Sequence, residues 1–273
     1  MAELSSADHS ISPPQVRIPR DYNAAHDLLE RNLKAGRGGK TAVIDDAGSY
    51  TYQDLAHRAN RFANALQNLG IQREQRIVLA LHDSIDFPAA FLGAIKAGVI
   101  PIPVNTLQTT KDYDYVLRDS RACMLVVSEA LYDTFAPAMK DKPDLRHVIV
   151  SGRDARGQLL FNNICAQAAP EFKTVETSSD DICFWLYSSG STGSPKGTVH
   201  LHSHLMQTAE LYGRGVLGIR ENDIGFSAAK LFFAYGLGNG MTFPFSVGAT
   251  TVLMAERPTP QAVGRVLKQH KPT

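Results

Sequence analysis

Apolar and polar residues alternate along the chain in two patterns, one with the period of a helix and one typical of buried strands. Apolar residues recur at steps of three and four from Leu55 to Leu69, which places them on one face of a helix. Thr51 and Asp54 have the spacing of a capping box at the start of this helix, and Gly70 follows its end. The pattern therefore predicts an amphipathic helix with both ends marked.

Continuous apolar runs mark the predicted strands. The runs at residues 77–81 and 100–104 lie on either side of a helical stretch, which is the order of two parallel strands joined by a crossover helix. Further strands are predicted over residues 124–127, 147–150, 182–187, 224–228 and 250–254, and further helices over residues 131–139, 161–168, from about 203, and over 261–270. Repeated strand and helix predicts an α/β fold with layered, parallel-rich sheets and flanking helices.

Changes in composition divide the chain into three segments. Prolines among polar neighbours indicate an irregular leading arm over residues 1–20, because proline cannot donate to a strand ladder or a helix interior. A polar stretch at residues 169–181 indicates a boundary between a first α/β subdomain, residues 21–177, and a second, residues 178–273. Pro272 follows the last predicted helix, where proline normally turns the chain towards another strand, so we expect the second subdomain to be incomplete at its C-terminal end.

Composition and charge narrow the classes of function. Of the 273 residues, 44% are hydrophobic and 20% are charged, which is ordinary for a globular protein with a sizeable core. The net charge is +1 and the cationic residues are scattered along the sequence, so no positively charged surface for binding nucleic acid or an anionic membrane is predicted. Neither a membrane span nor a secretory signal is predicted. Three widely spaced cysteines in apolar stretches indicate buried thiols in a reducing compartment, so we expect a cytoplasmic protein.

A loop of small residues follows the predicted strand at residues 182–187. Glycines, serines and a threonine precede Pro195 and Lys196, and their exposed amides and hydroxyls, with one cation at the end, suit the oxygens of a triphosphate. The loop is not a Walker A motif, because Pro195 stands where that motif requires glycine and Gly197 follows the lysine. The predicted phosphate-binding residues are Ser188, Ser189, Gly190, Ser191, Thr192, Gly193 and Lys196.

The string YSSGSTGSPKGTVHLH, which starts at Tyr187, resembles the phosphate-loop motif of the adenylate-forming family. That family includes acyl- and aryl-CoA synthetases, luciferases and peptide-synthetase adenylation domains. Residues 49–55 and 94–105 resemble two further core motifs, so the match extends from about residue 21 to residue 273. The resemblance implies most of the family's large N-terminal domain, with ATP, Mg²⁺ and coenzyme A as ligands and Lys196 as a catalytic group of the loop.

A second segment, residues 230–240, combines aromatic residues with alternating glycines after a predicted strand. Glycine permits close approach of a flat ligand and aromatic rings supply apolar walls, although a packed strand end would have the same composition. The segment is similar to the acyl-pocket segment of benzoate-CoA ligases. The resemblance implies that Phe233 lies between carboxylate and nucleotide, and that the aryl pocket is lined by Ala234, Tyr235, Gly236 and Phe243.

Two other patterns favour structural roles. His200, His202 and His204 alternate and could hold Zn²⁺, but a strand-to-helix transition after the loop explains them more simply, so no metal site is predicted. Residues 213–218 spell G-x-G-x-x-G, but they follow a predicted helix and not a strand, which argues against dinucleotide binding.

The resemblance implies a reaction in which an aromatic carboxylate attacks the α-phosphate of ATP, giving an acyl-adenylate and pyrophosphate, before transfer to coenzyme A. The expected partner is a small-molecule aromatic acid, and a homodimer is left open. One alternative is an aryl-acid adenylation domain that loads a carrier protein, and another is a ligand-binding fragment without turnover. The family's later motifs, including its C-terminal lysine, have no match before Thr273. We therefore expect these 273 residues alone to form no benzoyl-adenylate.

Overall fold

The structure is a computed structural model that describes residues 2–188 and 194–273. Its largest sheet is parallel throughout, with the strand order β6-β5-β7-β8-β9. The five strands are β5 (Arg76–Ala80), β6 (Ile100–Pro103), β7 (Met124–Ser128), β8 (His147–Ser151) and β9 (Leu159–Leu160). This sheet and its flanking helices confirm the predicted α/β class.

Residues 2–188 and 194–273 also contain three smaller sheets. Strands β12-β13-β3-β4 form a mixed sheet, β10 and β11 form an antiparallel pair, and β1 and β2 form a hairpin. The strands are β1 (Ser6–Asp8), β2 (Gln15–Arg17), β3 (Thr41–Asp45), β4 (Gly48–Thr51), β10 (Ile182–Ser188), β11 (Lys196–Leu201), β12 (Ile224–Phe226) and β13 (Thr250–Val252).

Two of these sheets bear on the expected segments. The residues expected to form an irregular arm contain the β1–β2 hairpin, with Pro13 and Pro14 in its connection and Pro19 beyond its second strand. Proline is thus kept out of the strands without preventing their pairing. Strand β3 lies before residue 178 and pairs in parallel with β13, which lies after it. Two subdomains divided at residue 178 would share this sheet, and the division itself stays a prediction.

Ten α-helices are described in residues 2–188 and 194–273. They are α1 (Ala24–Lys34), α2 (Tyr52–Asn68), α3 (Asp86–Lys96), α4 (Thr110–Ser120), α5 (Tyr132–Phe135), α6 (Phe161–Ala166), α7 (His202–Thr208), α8 (Ala234–Leu237), α9 (Phe243–Val247) and α10 (Pro260–His270). A 3₁₀ turn covers Glu129–Leu131, and π-helical turns cover Ala209–Arg214 and Gly238–Thr242. None of these helices is both long enough and apolar enough to cross a membrane.

Local sequence signals explain where two helices begin and end. Helix α2 begins with the predicted capping box, in which Thr51 Oγ1 accepts from the Asp54 amide and the Asp54 carboxylate accepts from the Thr51 amide. The helix predicted over residues 131–139 is shorter than expected, because α5 ends at Phe135 and turns follow. Pro137 has no amide hydrogen to donate to the carbonyl of Asp133, which interrupts the helical ladder.

The parallel sheet separates two hydrophobic cores. Successive side chains of a strand point to opposite faces, so Ile77 and Leu79 of β5 enter one core while Val78 and Ala80 enter the other. The first core contains side chains of α2 and α3, and the second contains side chains of α4. Each face of the sheet is therefore covered by helices, as expected for a parallel sheet.

His202 connects α7 to the beginning of α1. Its imidazole is 1% exposed, and its Nδ1 accepts a hydrogen bond of 3.1 Å from the amide of Ala24. This amide belongs to the first turn of a helix, where no intrahelical acceptor exists. Burial lowers the pKa of His202 to about 4. The fold therefore holds a neutral imidazole with an unprotonated Nδ1.

We predict that His202→Asn reduces the loss of stability at acid pH. The contribution of neutral His202 is complete above its ordinary pKa of 6.5 and is lost as the pH falls towards about 4. Between pH 7 and pH 4.5 this loss should be about 2 to 3 kcal/mol. Asparagine keeps an oxygen that can accept from Ala24 but does not titrate. Urea unfolding at both pH values should show a smaller drop in the variant, and equal drops would contradict this role of His202.

Candidate functional site

The antiparallel pair β10–β11 organises the candidate site. In its register Phe184 lies opposite His200, Leu186 opposite Thr198, and Ser188 opposite Lys196. Because side chains alternate along a strand, these residues share one face and the intervening residues share the other. We call them the front face (Phe184, Leu186, Ser188, Lys196, Thr198 and His200) and the back face (Trp185, Tyr187, Gly197 and Val199).

The two faces of this pair contact different parts of the protein. Phe184 and Leu186 of the front face belong to the first core, whereas Trp185 and Tyr187 of the back face pack against the second core. Strand β10 thus repeats the alternation of the parallel sheet beside it. The front face continues without interruption from buried Phe184 to exposed Ser188.

The ends of the predicted phosphate loop lie on the front face. Ser188 is the last residue of β10 and Lys196 is the first residue of β11, and both are exposed. The other predicted phosphate-binding residues, Ser189, Gly190, Ser191, Thr192 and Gly193, lie outside the described residues. The structure therefore brings Ser188 and Lys196 opposite each other, and the roles of all seven residues stay predictions.

A cavity of about 130 Å³ lies against the buried part of the front face. Its lining is mostly apolar and comes from β10, β11, α7 and the segment that spans α8 to α9. The lining residues are Phe184, Leu186, His200, His204, Leu205, Thr208, Ala234, Leu237, Gly238, Thr242 and Phe243.

The predicted aryl-pocket residues divide into two groups. Ala234 and Phe243 line the cavity. Phe233 and Tyr235 are 49% and 67% exposed and do not line it. Gly236 is buried but also lies outside the lining. The cavity thus takes its walls from residues on either side of Tyr235, and the roles of Phe233, Tyr235 and Gly236 stay predictions.

Two glycines of this segment are required by contacts within the chain. A Cβ at Gly236 would collide with the carbonyl oxygen of Lys230, and one at Gly238 would lie 2.7 Å from the ring of Phe243. Real Cβ atoms are excluded at such separations, so glycine lets α8 pack against the backbone of Lys230 and lets the ring of Phe243 lie against Gly238.

Two histidines form one wall of the cavity. His200 stacks on Phe184 with ring centroids 4.5 Å apart and 5° between the ring planes, and His204 meets His200 edge to face at 5.7 Å. Burial, followed by the nearby His204, lowers the pKa of His200. His200 therefore behaves as a neutral ring at pH 7. The described residues contain no group of three or more His, Cys, Asp or Glu side chains placed to hold a metal ion.

A buried acid–base pair anchors the segment before α8. The Asp83 carboxylate accepts a 3.2 Å hydrogen bond from the Leu231 amide and lies 3.8 Å from Lys230 Nζ. Lys230 also donates to the carbonyl oxygen of Met254. Burial raises the pKa of Asp83 to about 6 and lowers the pKa of Lys230. These contacts fix the chain where it approaches the cavity.

Sequence reasoning missed most of the cavity wall. Phe184 and Leu186 read as ordinary core residues of a strand, and His204 reads only as a possible metal ligand, not as part of an apolar wall. The available signal was the alternation of Phe184, Leu186 and Ser188, which puts two apolar residues on the same face as the start of the loop.

Comparison with known proteins gives the family. Residues 29–273 match the family described as AMP-binding enzyme, so the chain belongs to that family. The predicted adenylate-forming family is therefore confirmed.

Two similar proteins are named as aromatic acid ligases. The chain is 58% identical over 273 residues to the benzoate–CoA ligase of Thauera aromatica, and it covers 51% of that protein. It is 45% identical over 254 residues to the 4-hydroxybenzoate–CoA/benzoate–CoA ligase of Rhodopseudomonas palustris, of which it covers 47%. The chain thus spans about half the length of the curated relatives it matches.

A solved structure of a similar protein has the same fold as this chain. The benzoate CoA ligase from Burkholderia xenovorans LB400 superposes with a TM-score of 0.86 and 50% sequence identity, over 92% of this chain and 49% of that chain. The similarity therefore extends over nearly the whole described chain and about half of that ligase.

Proposed function

We propose that this chain supplies the acid pocket and phosphate loop of an ATP-dependent ligase that activates a benzoate-like acid. The acid becomes an acyl-adenylate, with release of pyrophosphate, and is then transferred to coenzyme A. One observation carries the proposal: the front face joins an apolar cavity at Phe184 to the loop ends at Ser188 and Lys196. The ring of the acid and the terminal phosphates of ATP can therefore be held by one strand pair.

The dimensions of the site support an aromatic acid. Ser188 lies four residue steps beyond Phe184, which is about 13 Å at the usual strand rise of about 3.3 Å per residue. An apolar cavity on the order of 150 Å³ is known to bind benzene, and the volume here is about 130 Å³. A single ring with small substituents fits this space, with its carboxylate directed along the front face towards Ser188.

The chemical character of the walls agrees with this substrate class. The lining residues include three aromatic or imidazole rings stacked or packed face to edge, Phe184, His200 and His204. Aromatic rings prefer such offset and edge-to-face contacts with a bound ring. Relatives with benzoate and hydroxybenzoate as substrates show 58% and 45% identity, which also favours an aromatic acid.

In this proposal Lys196 and the loop residues hold the β- and γ-phosphates of ATP. A lysine acts on phosphates as a point charge, and in-line transfer to a carboxylate depends mainly on positioning and charge stabilisation. Mg²⁺ would enter bound to the phosphates. Phe233 would lie between the carboxylate and the nucleotide, at the N-terminal end of α8. The buried thiols of all three cysteines suit the reducing cytoplasm, where we place the enzyme.

The alternative acceptor is a carrier protein that bears a phosphopantetheine thiol. Both candidates share the adenylation step, so the acceptor distinguishes them. Coenzyme A is favoured because the similar proteins described above, including the 58% identical one, are CoA ligases. Thioester formed with free coenzyme A supports the proposal, and thioester formed only with a carrier protein supports the alternative.

We predict that Lys196→Ala weakens use of ATP by about 1.5 to 3 kcal/mol, the range for a hydrogen bond to a charged group. The test is benzoate-dependent exchange of pyrophosphate into ATP, in a chimera in which this chain replaces the aligned half of the Thauera aromatica ligase. Lys111→Ala, an exposed lysine in α4, is the control. Exchange that is unchanged in Lys196→Ala would show that this lysine does not hold the phosphates.

A second prediction concerns the cavity. Ala234→Leu adds volume to its wall, so the specificity constant for benzoate should fall by about 10- to 200-fold, and para-substituted benzoates should lose more. Tyr235→Ala tests the other predicted location of the acid, because the Tyr235 side chain is exposed and lies outside the cavity.

Specificity constants across a series of para-substituted benzoates, measured in the same chimera, distinguish binding in the cavity from binding beside Tyr235. If Tyr235→Ala changes the ranking of acids and Ala234→Leu does not, the acid binds beside Tyr235 and not in this cavity.

A further inference from the structure

Helix α4 contacts both ends of the phosphate loop from the back face. The hydroxyl of Tyr115 donates a 3.0 Å hydrogen bond to the carbonyl oxygen of Pro195. The hydroxyl of Tyr187 donates a 2.5 Å hydrogen bond to the carboxylate of Asp119. Tyr115 and Asp119 are four residues apart, so they lie on the same side of the helix.

These two contacts fall immediately outside the loop. Tyr187 directly precedes Ser188, and Pro195 directly precedes Lys196. The residues that point to the front face are therefore each one residue away from a contact made on the back. A shift of either contact would move Ser188 or Lys196 relative to the cavity.

The Tyr187 contact is well suited to a fixed position. Burial and the adjacent Asp119 carboxylate both raise the pKa of Tyr187, so its hydroxyl keeps the proton that it donates. The ring also lies across Gly197, where an added Cβ would be 3.5 Å from its Cζ atom. Tyr187 therefore connects α4 to both strands of the pair.

Helix α4 is itself firmly held. Thr109 and Asp112 form a capping box at its N-terminus. Tyr113, Val116 and Leu117 are buried in the second core, so the helix is fixed by packing on the side away from solvent. A rigid element behind a substrate-binding loop is the arrangement that keeps its groups in place.

We infer that Tyr115 and Asp119 are positioning residues for the nucleotide: they hold Ser188 and Lys196 in the positions that binding of the ATP phosphates requires. Their hydrogen bonds go to Pro195 and Tyr187, so their effect on Ser188 and Lys196 passes through these two neighbours. Because this role presupposes the proposed function, it needs one test that depends on activity and one that does not.

The variants Tyr115→Phe and Asp119→Ala each remove one contact, and two residues of the same helix provide matched controls. Tyr113→Phe removes an equivalent hydroxyl, which donates to the Asn105 carbonyl away from the loop. Asp114→Ala removes a carboxylate that pairs with Arg118 and Lys142.

In pyrophosphate exchange by the chimera described above, Tyr115→Phe and Asp119→Ala should each raise the KM for ATP about fivefold, the factor for one ordinary hydrogen bond. The KM for benzoate should stay unchanged and the controls should keep both KM values, whereas the urea midpoint should fall by a similar small amount in Tyr115→Phe and Tyr113→Phe, because each loses one hydrogen bond. Unchanged KM for ATP, or equal increases in the KM for ATP and benzoate, would overturn the inference.

Hydrogen exchange of the 273-residue chain without nucleotide supplies the independent test. Amides of residues 194 and 196–198 should exchange faster in Tyr115→Phe and Asp119→Ala than in the two controls, because loss of an anchoring contact lowers local protection. Exchange rates equal to the controls would overturn the inference. If the unsubstituted chimera shows no pyrophosphate exchange, the proposed function fails, and hydrogen exchange alone then decides whether α4 holds the loop.

Discussion

The antiparallel pairing of β10 with β11 is the constraint on which the candidate site depends. Pairing Ser188 with Lys196 also pairs Phe184 with His200, because each step along one strand fixes the step along the other. The period of two then assigns every side chain to a face. A slip of one residue would move Phe184 and Leu186 out of the cavity wall and put Trp185 and Tyr187 in their place.

The surrounding structure determines this register by burial on both sides. Phe184 and Leu186 join the first core, and Trp185 and Tyr187 join the second. A strand with only one buried face can slip more easily than one whose two faces are filled by side chains of different shape. Packing therefore determines the geometry of the site. In this proposal the loop supplies amides, hydroxyls and one cation.

Much of the fold follows from local signals in the sequence. The capping box of Thr51 and Asp54 places α2, and the apolar runs at residues 77–81 and 100–104 become neighbouring parallel strands because they are too apolar to stay exposed. The loop ends at Ser188 and Lys196 were also predictable, since small residues with one lysine after a buried strand suit a phosphate site.

The cavity wall could not be read from local signals. Its residues come from segments as far apart in the chain as Phe184 and Phe243, and only tertiary packing brings them together. Tyr235, which the resemblance implies for the aryl pocket, is exposed and lies outside this cavity, and its role stays a prediction. Gly236 and Gly238 serve tight contacts within the chain, which composition does not distinguish from contacts with a ligand.

The central claim is that one face of one strand pair holds both the ring of the acid and the terminal phosphates of ATP. A crystal structure of the chimera with benzoate and a non-hydrolysable ATP analogue tests it most directly. The account predicts ring atoms within about 4 Å of Phe184, Leu186 and His200, the contact distance of apolar groups, with the β- and γ-phosphates beside Ser188 and Lys196. A ring bound outside this cavity, or terminal phosphates on the back face beside Tyr187, would contradict it.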